Sequence, residues 1–301
     1  MIPRTVGGRG FALALAVALA AGAPAAGRGA STQALLGSAR SAGLGADAAA
    51  GGGIAGLQGN PAALASQTGW AAAGTYLSWL EGARIGQLTA CAPTPAGPVA
   101  LSIGSFTAGS VDVVEDSGAV RTVNAQQDTV VTATLARSIV PGFEAGVAGT
   151  WYRSVLAETW VASAASVGLG ARFVTADGAL SLGGVVANAV GTPLRYAGQP
   201  QALPRTVTAG AAWRPVRSRL VGLLLAVDYV AAPGDADAQR LGVEAEFVRL
   251  LALRAGVTRG GGVASVSAGL GARWGRVQFD YAVASPSRLG TASRATVTVA
   301  L

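Results

Sequence analysis

Apolar residues alternate with small or polar ones along most of this chain, in fourteen short stretches that begin near residue 68 and end at Leu301. In the last stretch Ala295, Val297, Val299 and Leu301 share one face, and Arg294, Thr296, Thr298 and Ala300 the other. Successive side chains of a strand point to opposite faces, so one face of such a strand meets an apolar medium and the other a polar one. The second face is crowded with small residues, as at Ser265, Ser267, Gly269 and Gly271, which line a lumen more naturally than they fill a core. Connections after odd-numbered stretches are often long and polar, as at 109–125 and 191–204; those after even-numbered ones are short, as at 138–141, 176–177, 215–216 and 275–276. The connections at 80–82 and 260–262 are short exceptions. This pattern predicts an all-β fold, a transmembrane antiparallel β-barrel of about fourteen strands with long outer loops and short periplasmic turns.

The aromatic residues agree with that reading. All six tryptophans fall at or near strand ends. Trp70, Trp213 and Trp274 are expected at the periplasmic edge and Trp79, Trp151 and Trp160, with Tyr229, at the outer edge. Two girdles of amphipathic rings mark the two lipid–water interfaces. A soluble β-sandwich would instead gather its aromatic residues mid-strand.

Residues 1–25 read as a secretory signal peptide: Arg4 and Arg9, an apolar run from Phe11, then Ala23-Pro24-Ala25. Residues 26–66 are rich in Ala and Gly, lack the alternating period and precede the barrel pattern, which occupies 67–301. No later stretch is apolar for long enough to span a bilayer as a helix. Backbone groups in lipid are satisfied only in helices and closed barrels, so the chain is expected to cross as strands.

Composition narrows the chemistry. The net charge is +7 and every basic residue is an arginine, scattered without a dense run, so a nucleic-acid surface is not expected while contact with anionic head groups is. There is no histidine and one cysteine, Cys91, expected as a small buried filler. Histidine-based triads, Cys-His dyads and the common zinc sites are therefore excluded, and no cofactor is expected. The most specific local feature is a set of ionisable or amide residues that alternation places on one inward face: Asp228, Glu244, Glu246, Arg254, Arg273, Gln278 and Asp280. Cross-strand geometry brings Arg254 near Glu244 or Glu246, and Arg273 near Gln278. A charge-paired wall that fixes register is the plain reading; a surface for a solute's head group is the sharper one. Glu244 and Glu246 have no nucleophile or metal cluster beside them, and catalysis is not expected.

Three blocks resemble the PorV/PorQ family of outer-membrane proteins, barrels related in fold to the FadL fatty-acid channels. The first is Ser38-Ala39-Arg40-Ser41-Ala42-Gly43-Leu44-Gly45 followed by Asn60-Pro61-Ala62-Ala63-Leu64-Ala65. The second is Leu182-Gly183-Gly184-Val185-Val186-Ala187-Asn188 with Leu194-Arg195-Tyr196 and Leu203-Pro204. The third runs from Gly242-Val243-Glu244 through Leu251 to Gly256 and on to Phe279-Asp280-Tyr281-Ala282 and Leu289-Gly290. Two departures stand out: Gly51-Gly52-Gly53 replaces an acidic pair of the family, and the chain ends in Leu301 where such barrels usually end in Phe. The resemblance implies a fourteen-stranded barrel in the bacterial outer membrane with both termini periplasmic. Residues 26–66 would fold into the lumen as a plug, with Asn60-Pro61 as its turn. It further implies a channel for hydrophobic or amphiphilic molecules or, alternatively, an assembly or docking component of a type IX-like secretion system. Outer-membrane lipid, the barrel-insertion machinery, and a hydrophobic solute or secretion-system proteins are the implied partners.

Overall fold

In the computed structural model of the protein, the residues described are 31–79, 82–114, 118–232, 236–260, 263–286 and 290–301. The signal-peptide assignment and most of the short connections at 80–82 and 260–262 lie outside them.

In chain order the strands are β1 (Ala71–Ser78), β2 (Arg84–Ala92), β3 (Val99–Thr107), β4 (Ser110–Val114), β5 (Val120–Asn124), β6 (Gln126–Val140), β7 (Phe143–Leu156), β8 (Trp160–Val174) and β9 (Leu180–Gly191). They continue as β10 (Leu194–Tyr196), β11 (Gln199–Gln201), β12 (Thr206–Arg217), β13 (Val221–Ala231), β14 (Ala238–Phe247), β15 (Leu251–Gly260), β16 (Val263–Trp274), β17 (Val277–Pro286) and β18 (Ala292–Ala300). Fourteen of them form a closed barrel in which every neighbour is antiparallel and β18 returns to pair with β1, Ala71 opposite Ala300. The other four form two hairpins, β4–β5 and β10–β11, inside connections read from the sequence as plain loops.

Alternation explains why these residues make these strands. In β15, Leu251, Leu253 and Val257 are exposed while Ala252, Arg254 and Gly256 face the lumen. The outward face of every part of the wall repeats this: Leu88, Leu101, Leu135, Val147, Leu169, Leu225, Leu270 and Val297 are all exposed. Leu88 is 70% exposed. A continuous apolar band around a closed sheet is a lipid-facing surface. Among the described residues no helix is long and apolar enough to cross a membrane.

One predicted turn is corrected. Pro215-Val216 is not a corner: β12 runs on to Arg217, and the chain turns at Ser218, Arg219 and Leu220. Between Trp213 and Val216 the register with β13 shifts. A bulge leaves a position without a ladder bond, and Pro215, which has no N–H to donate, is tolerated there.

Residues 31–66 lie inside the barrel as helix α1 (Ala39–Leu44), the single turn α2 (Gly53–Gly56) and two 3-10 turns, Ser31–Leu35 and Pro61–Ser66. Two apolar clusters join them to the wall. Leu44, Ala46, Ala49 and Ala50 pack on Ala212, Leu224 and Ala226. Leu57 and Leu64 pack on Ala71, Cys91, Ala100 and Ala136. Cys91 is buried.

Candidate functional site

The inner segment threads the lumen from the end bearing the longer connections to the end bearing the short turns. At the upper end Thr32 Oγ1 donates to Asp128 Oδ2 at 2.6 Å, and the Tyr152 hydroxyl donates to the same oxygen at 2.5 Å. At the lower end Asn60 donates from Nδ2 to Ala48 O (2.8 Å) and Ala171 O (3.0 Å), while its Oδ1 accepts from Ala62 N (2.9 Å) and caps the last 3-10 turn. Pro61 occupies the first position of that turn, where a missing N–H costs nothing. Both Asn60 and Pro61 are buried well inside the wall, against Gly146 and Gly170.

Between these ends the wall bonds mainly to the segment's main chain. Gln87 Oε1 accepts from Gly37 N (3.0 Å), Thr296 Oγ1 from Ala39 N (2.8 Å), and Asp228 Oδ2 from both Asp47 N (2.8 Å) and Ala48 N (3.0 Å). Ser181 Oγ donates to Ala49 O (2.9 Å), Ser267 Oγ to Gly43 O (3.1 Å), Arg294 Nη2 to Leu35 O (2.6 Å) and Arg172 to Gly51 O. A chain of Ala and Gly has no side chains to satisfy its own backbone, so the buried peptide groups must find partners on the barrel.

The inward residues named from the sequence lie on β13 to β17, and the structure brings most of them together. Arg254 Nε donates to Glu244 Oε2 at 2.6 Å and its Nη1 to Asp280 Oδ1 at 2.7 Å. Gln278 donates to Asp280 Oδ2 (2.7 Å), and Arg273 donates to Gln278 Oε1 through both Nε (3.2 Å) and Nη2 (2.7 Å). Of the two glutamates it is Glu244 that meets Arg254, because the register sets them directly opposite. Glu246 sits opposite Ala252 and borders the lumen cavities below. Asp228 stands apart from this chain, under Asp47 and Ala48.

Sequence reasoning missed the second half of the charge network, which the inner segment supplies. Arg40 on α1 makes a two-pronged contact with Glu244, Nε to Oε2 at 3.0 Å and Nη2 to Oε1 at 2.9 Å, and lies 3.7 Å from Asp47. Asp47 Oδ2 accepts from Ser41 Oγ at 2.5 Å. Burial pulls the Arg40 guanidinium down, but Glu244 and Asp47 more than offset this and hold it above its ordinary range. Burial pushes the Asp47 carboxyl up to about 7, against the pull of Arg40 and Ser41 and with further repulsion from Asp228 and Glu244. Below pH 7 the folded protein then holds a proton on Asp47 that the unfolded chain releases down to about 4. Stability is expected to rise as pH falls through this window, by up to about 1.4 kcal/mol per unit, and to be lost as pH rises through 7. Urea-unfolding midpoints at pH 5 and pH 8 measure this, and Asp47→Asn is expected to flatten the difference.

A missed pair, Glu144 and Arg172 at 2.8 Å, joins β7 to β8 near the short-turn end. Strand alternation alone would have placed both residues, with Asp128 and Tyr152, on the lumen face. Arg40 and Asp47 left a fainter signal, as charges isolated in a Gly/Ala stretch.

At the upper end the lumen wall carries an apolar cluster, with the buried Asp128, Ser154 and Ser166 beside it. Val130, Tyr152, Ala162 and Ala164 cluster with Leu194 of the β10–β11 hairpin, which folds inward, and Leu36, Tyr196 and Leu203 pack against them. Asn188 ties this region together from a left-handed backbone conformation, φ 49°. Its Nδ2 donates to Gln33 Oε1 (3.1 Å) on the inner segment and Pro204 O (2.8 Å) beyond the hairpin, and its Oδ1 accepts from Ser166 Oγ (2.7 Å).

The tryptophans divide by strand parity. Trp70, Trp151, Trp213 and Trp274 stand on the outward face and are exposed, as are Phe143, Phe173, Phe247 and Tyr229. Trp79 and Trp160 differ from expectation: they share the parity of the inward Leu77 and Ala162, and sit at the rim, Trp79 half-buried and Trp160 exposed. Position along a strand suggested an interface ring for both; parity directs them to the mouth. No group of residues able to hold a metal ion occurs among the described residues.

No family model matches the chain, and no curated protein matches it. Solved structures do. The toluene transporter TbuX of Ralstonia pickettii is 15% identical over 88% of this chain and 97% of its own, with a TM-score of 0.55. The toluene transporter TodX of Pseudomonas putida is 13% identical over 87% and 96%, with a TM-score of 0.53. A FadL homologue of Pseudomonas aeruginosa is 12% identical over 88% and 98%, with a TM-score of 0.53. The fold is that of the FadL-like barrels.

Proposed function

We propose that the protein is a channel of the bacterial outer membrane for small hydrophobic or amphiphilic molecules, with residues 26–66 as its plug and the C-terminus in the periplasm. The observation that carries this is the apolar cluster of Val130, Tyr152, Ala162 and Ala164 beneath the inward-folded hairpin. A water-filled pore is lined by polar groups, whereas a site for hydrocarbon is apolar with a few placed polar atoms. Tyr152, Asp128 and Ser154 supply such atoms at its edge. The solute class fits the toluene transport named for TbuX and TodX. The charged wall of β14 to β17 then serves as the anchor of the plug, through Arg40 and Glu244, rather than as a solute site.

Uptake of labelled toluene and labelled oleate by cells carrying the barrel, together with planar-bilayer conductance, tests the assignment. Uptake above that of cells without the barrel is expected for at least one solute. The intact protein is expected to be electrically silent, and a form lacking residues 26–66 to conduct steadily. A folded barrel that takes up neither solute and stays silent in both forms would sink the channel reading.

That outcome would favour the docking role implied by the PorV/PorQ resemblance. One observation supports it: hairpin β4–β5 exposes Val111, Val113, Val114 and Val120 beyond the wall. Asn124 fastens it to Glu158 in the β7–β8 turn, with two bonds of 3.0 Å.

A further inference from the structure

At the short-turn end of β14 to β17 two cavities meet across the wall. The inner one, about 310 Å³, lies between the inner segment and the barrel and is bordered by Arg214, Arg249, Arg273 and Glu246. The outer one, about 770 Å³, is an apolar groove on the lipid side bordered by Val248, Trp274, Val277 and Phe279. Leu250, Leu251, Ala272 and Arg273 border both. Trp274 is 90% exposed and stands at the edge of the groove.

The charges on the inner side do not balance. Arg40 and Arg254 are already paired, Arg40 with Glu244 and Asp47 and Arg254 with Glu244 and Asp280. Arg214 bonds the main-chain oxygen of Ala50 (3.3 Å), and Arg273 bonds the neutral amide oxygen of Gln278. Among the described residues no carboxylate lies within ion-pair distance of Arg214, Arg249 or Arg273. On the border of this cavity five arginines face two glutamates, Glu244, which is paired with Arg40 and Arg254, and Glu246. Arg249 is presented by a two-residue hairpin turn with left-handed φ angles at Val248 and Arg249, 45° and 58°, like that at Ala157 and Glu158. A second outward groove, about 540 Å³ at Tyr76, Leu88, Ile103 and Val297, has no charged residue on its border. Ordinary lipid contact needs nothing more than that.

We propose that the junction at β14 to β17 binds an anionic amphiphile, its head group held by Arg249 and Arg273 and its chain laid along Trp274 and Phe279 in the outer groove. Planar guanidinium groups suit a carboxylate or a phosphate equally. The head group is therefore that of a free fatty acid or of an anionic phospholipid from the facing leaflet. The site requires only a folded barrel in a bilayer and stands whether or not the protein conducts solutes.

Quenching of tryptophan fluorescence by brominated lipids tests this, with the full mature chain in bilayers. The probes are dibrominated stearate and brominated phosphatidylglycerol, with brominated phosphatidylcholine as reference. The Trp274 signal is the difference between the protein and its Trp274→Phe form. Saturable quenching of that signal by an anionic probe, at mole fractions where phosphatidylcholine is ineffective, is the expected result. Arg249→Gln and Arg273→Gln are each expected to weaken it about fivefold, and Arg249→Lys to retain most of it. Selectivity for stearate identifies a free carboxylate, and selectivity for phosphatidylglycerol a lipid head group. Equal quenching by all three probes, or quenching untouched by both Gln substitutions in proteins that still migrate as folded barrels, would overturn the proposal.

Discussion

Replacing Gly183 and Gly242 together by valine is expected to expel the inner segment from the lumen while leaving the barrel closed. A Cβ on Gly183 would overlap the carbonyl oxygen of Ala48 and lie 2.6 Å from its carbon; one on Gly242 would overlap the carbonyl oxygen of Leu44. Backbone atoms cannot swing aside as side-chain ends do, and overpacking of this kind costs about 1–3 kcal/mol per site or more. Valine itself is favourable in a strand, so β9 and β14 need not suffer. Arg40, with its side chain only 12% exposed, is expected to resist trypsin in the natural protein and to be cut in the variant, which should also conduct. Gly184→Val is the control, since nothing lies within 4 Å of a Cβ there. A folded double variant in which Arg40 remains protected would show that the segment is not held by close approach to the wall.

Arg254→Met is expected to be the most destabilising single change in the lumen, by about 3–5 kcal/mol. Arg254 is 6% exposed and bridges Glu244 on the adjacent β14 and Asp280 on β17, reaching across β16. Without it Asp280 keeps only the Gln278 amide, and an uncompensated buried charge costs far more than a lost pair of neutral groups. Glu244 fares better because Arg40 still grips both its oxygens. Asp280→Asn in the Arg254→Met background is therefore expected to recover much of the loss. Unfolding in urea, followed by loss of β-sheet signal, gives both values. An Arg254→Met protein within 1 kcal/mol of its parent would mean that water, not Arg254, solvates these carboxylates.

The barrel was legible because a strand writes its two faces into every second residue. In Val263–Trp274 the side chains of Val266 and Leu270 are exposed while Ser267, Gly269 and Gly271 take the opposite face, as alternation predicts, and parity narrowed the partner of Arg254 to Glu244 or Glu246. Elsewhere the local pattern misled. Pro215 reads as a corner in a sequence, yet a bulge absorbs it. Trp79 and Trp160 lie at strand ends, which suggested lipid interfaces, but parity alone decides the face. The two hairpins lie in segments with too few residues for a period to declare itself. Arg40 and Asp47 were hidden for a deeper reason. An irregular Gly/Ala segment carries no period, and Arg40 meets a partner 204 residues away, a contact with no signature in its own neighbourhood.

The wall's grip on the main chain of the inner segment also fixes an order of events in time. The segment is the earliest part of the described chain, yet its partners run from Gln87 on β2 to Thr296 on β18. Those partners come together only when the last strand pairs with the first, across more than 200 residues of chain. Until then the segment has little to fold around, for its own structure is two short helices and two 3-10 turns. The segment is therefore expected to take its fold after the barrel has closed. An Ala- and Gly-rich stretch with few large apolar side chains suits that delay, because it offers little for other chains to adhere to. What is made first settles last, and closure of the barrel is the event that releases it to fold.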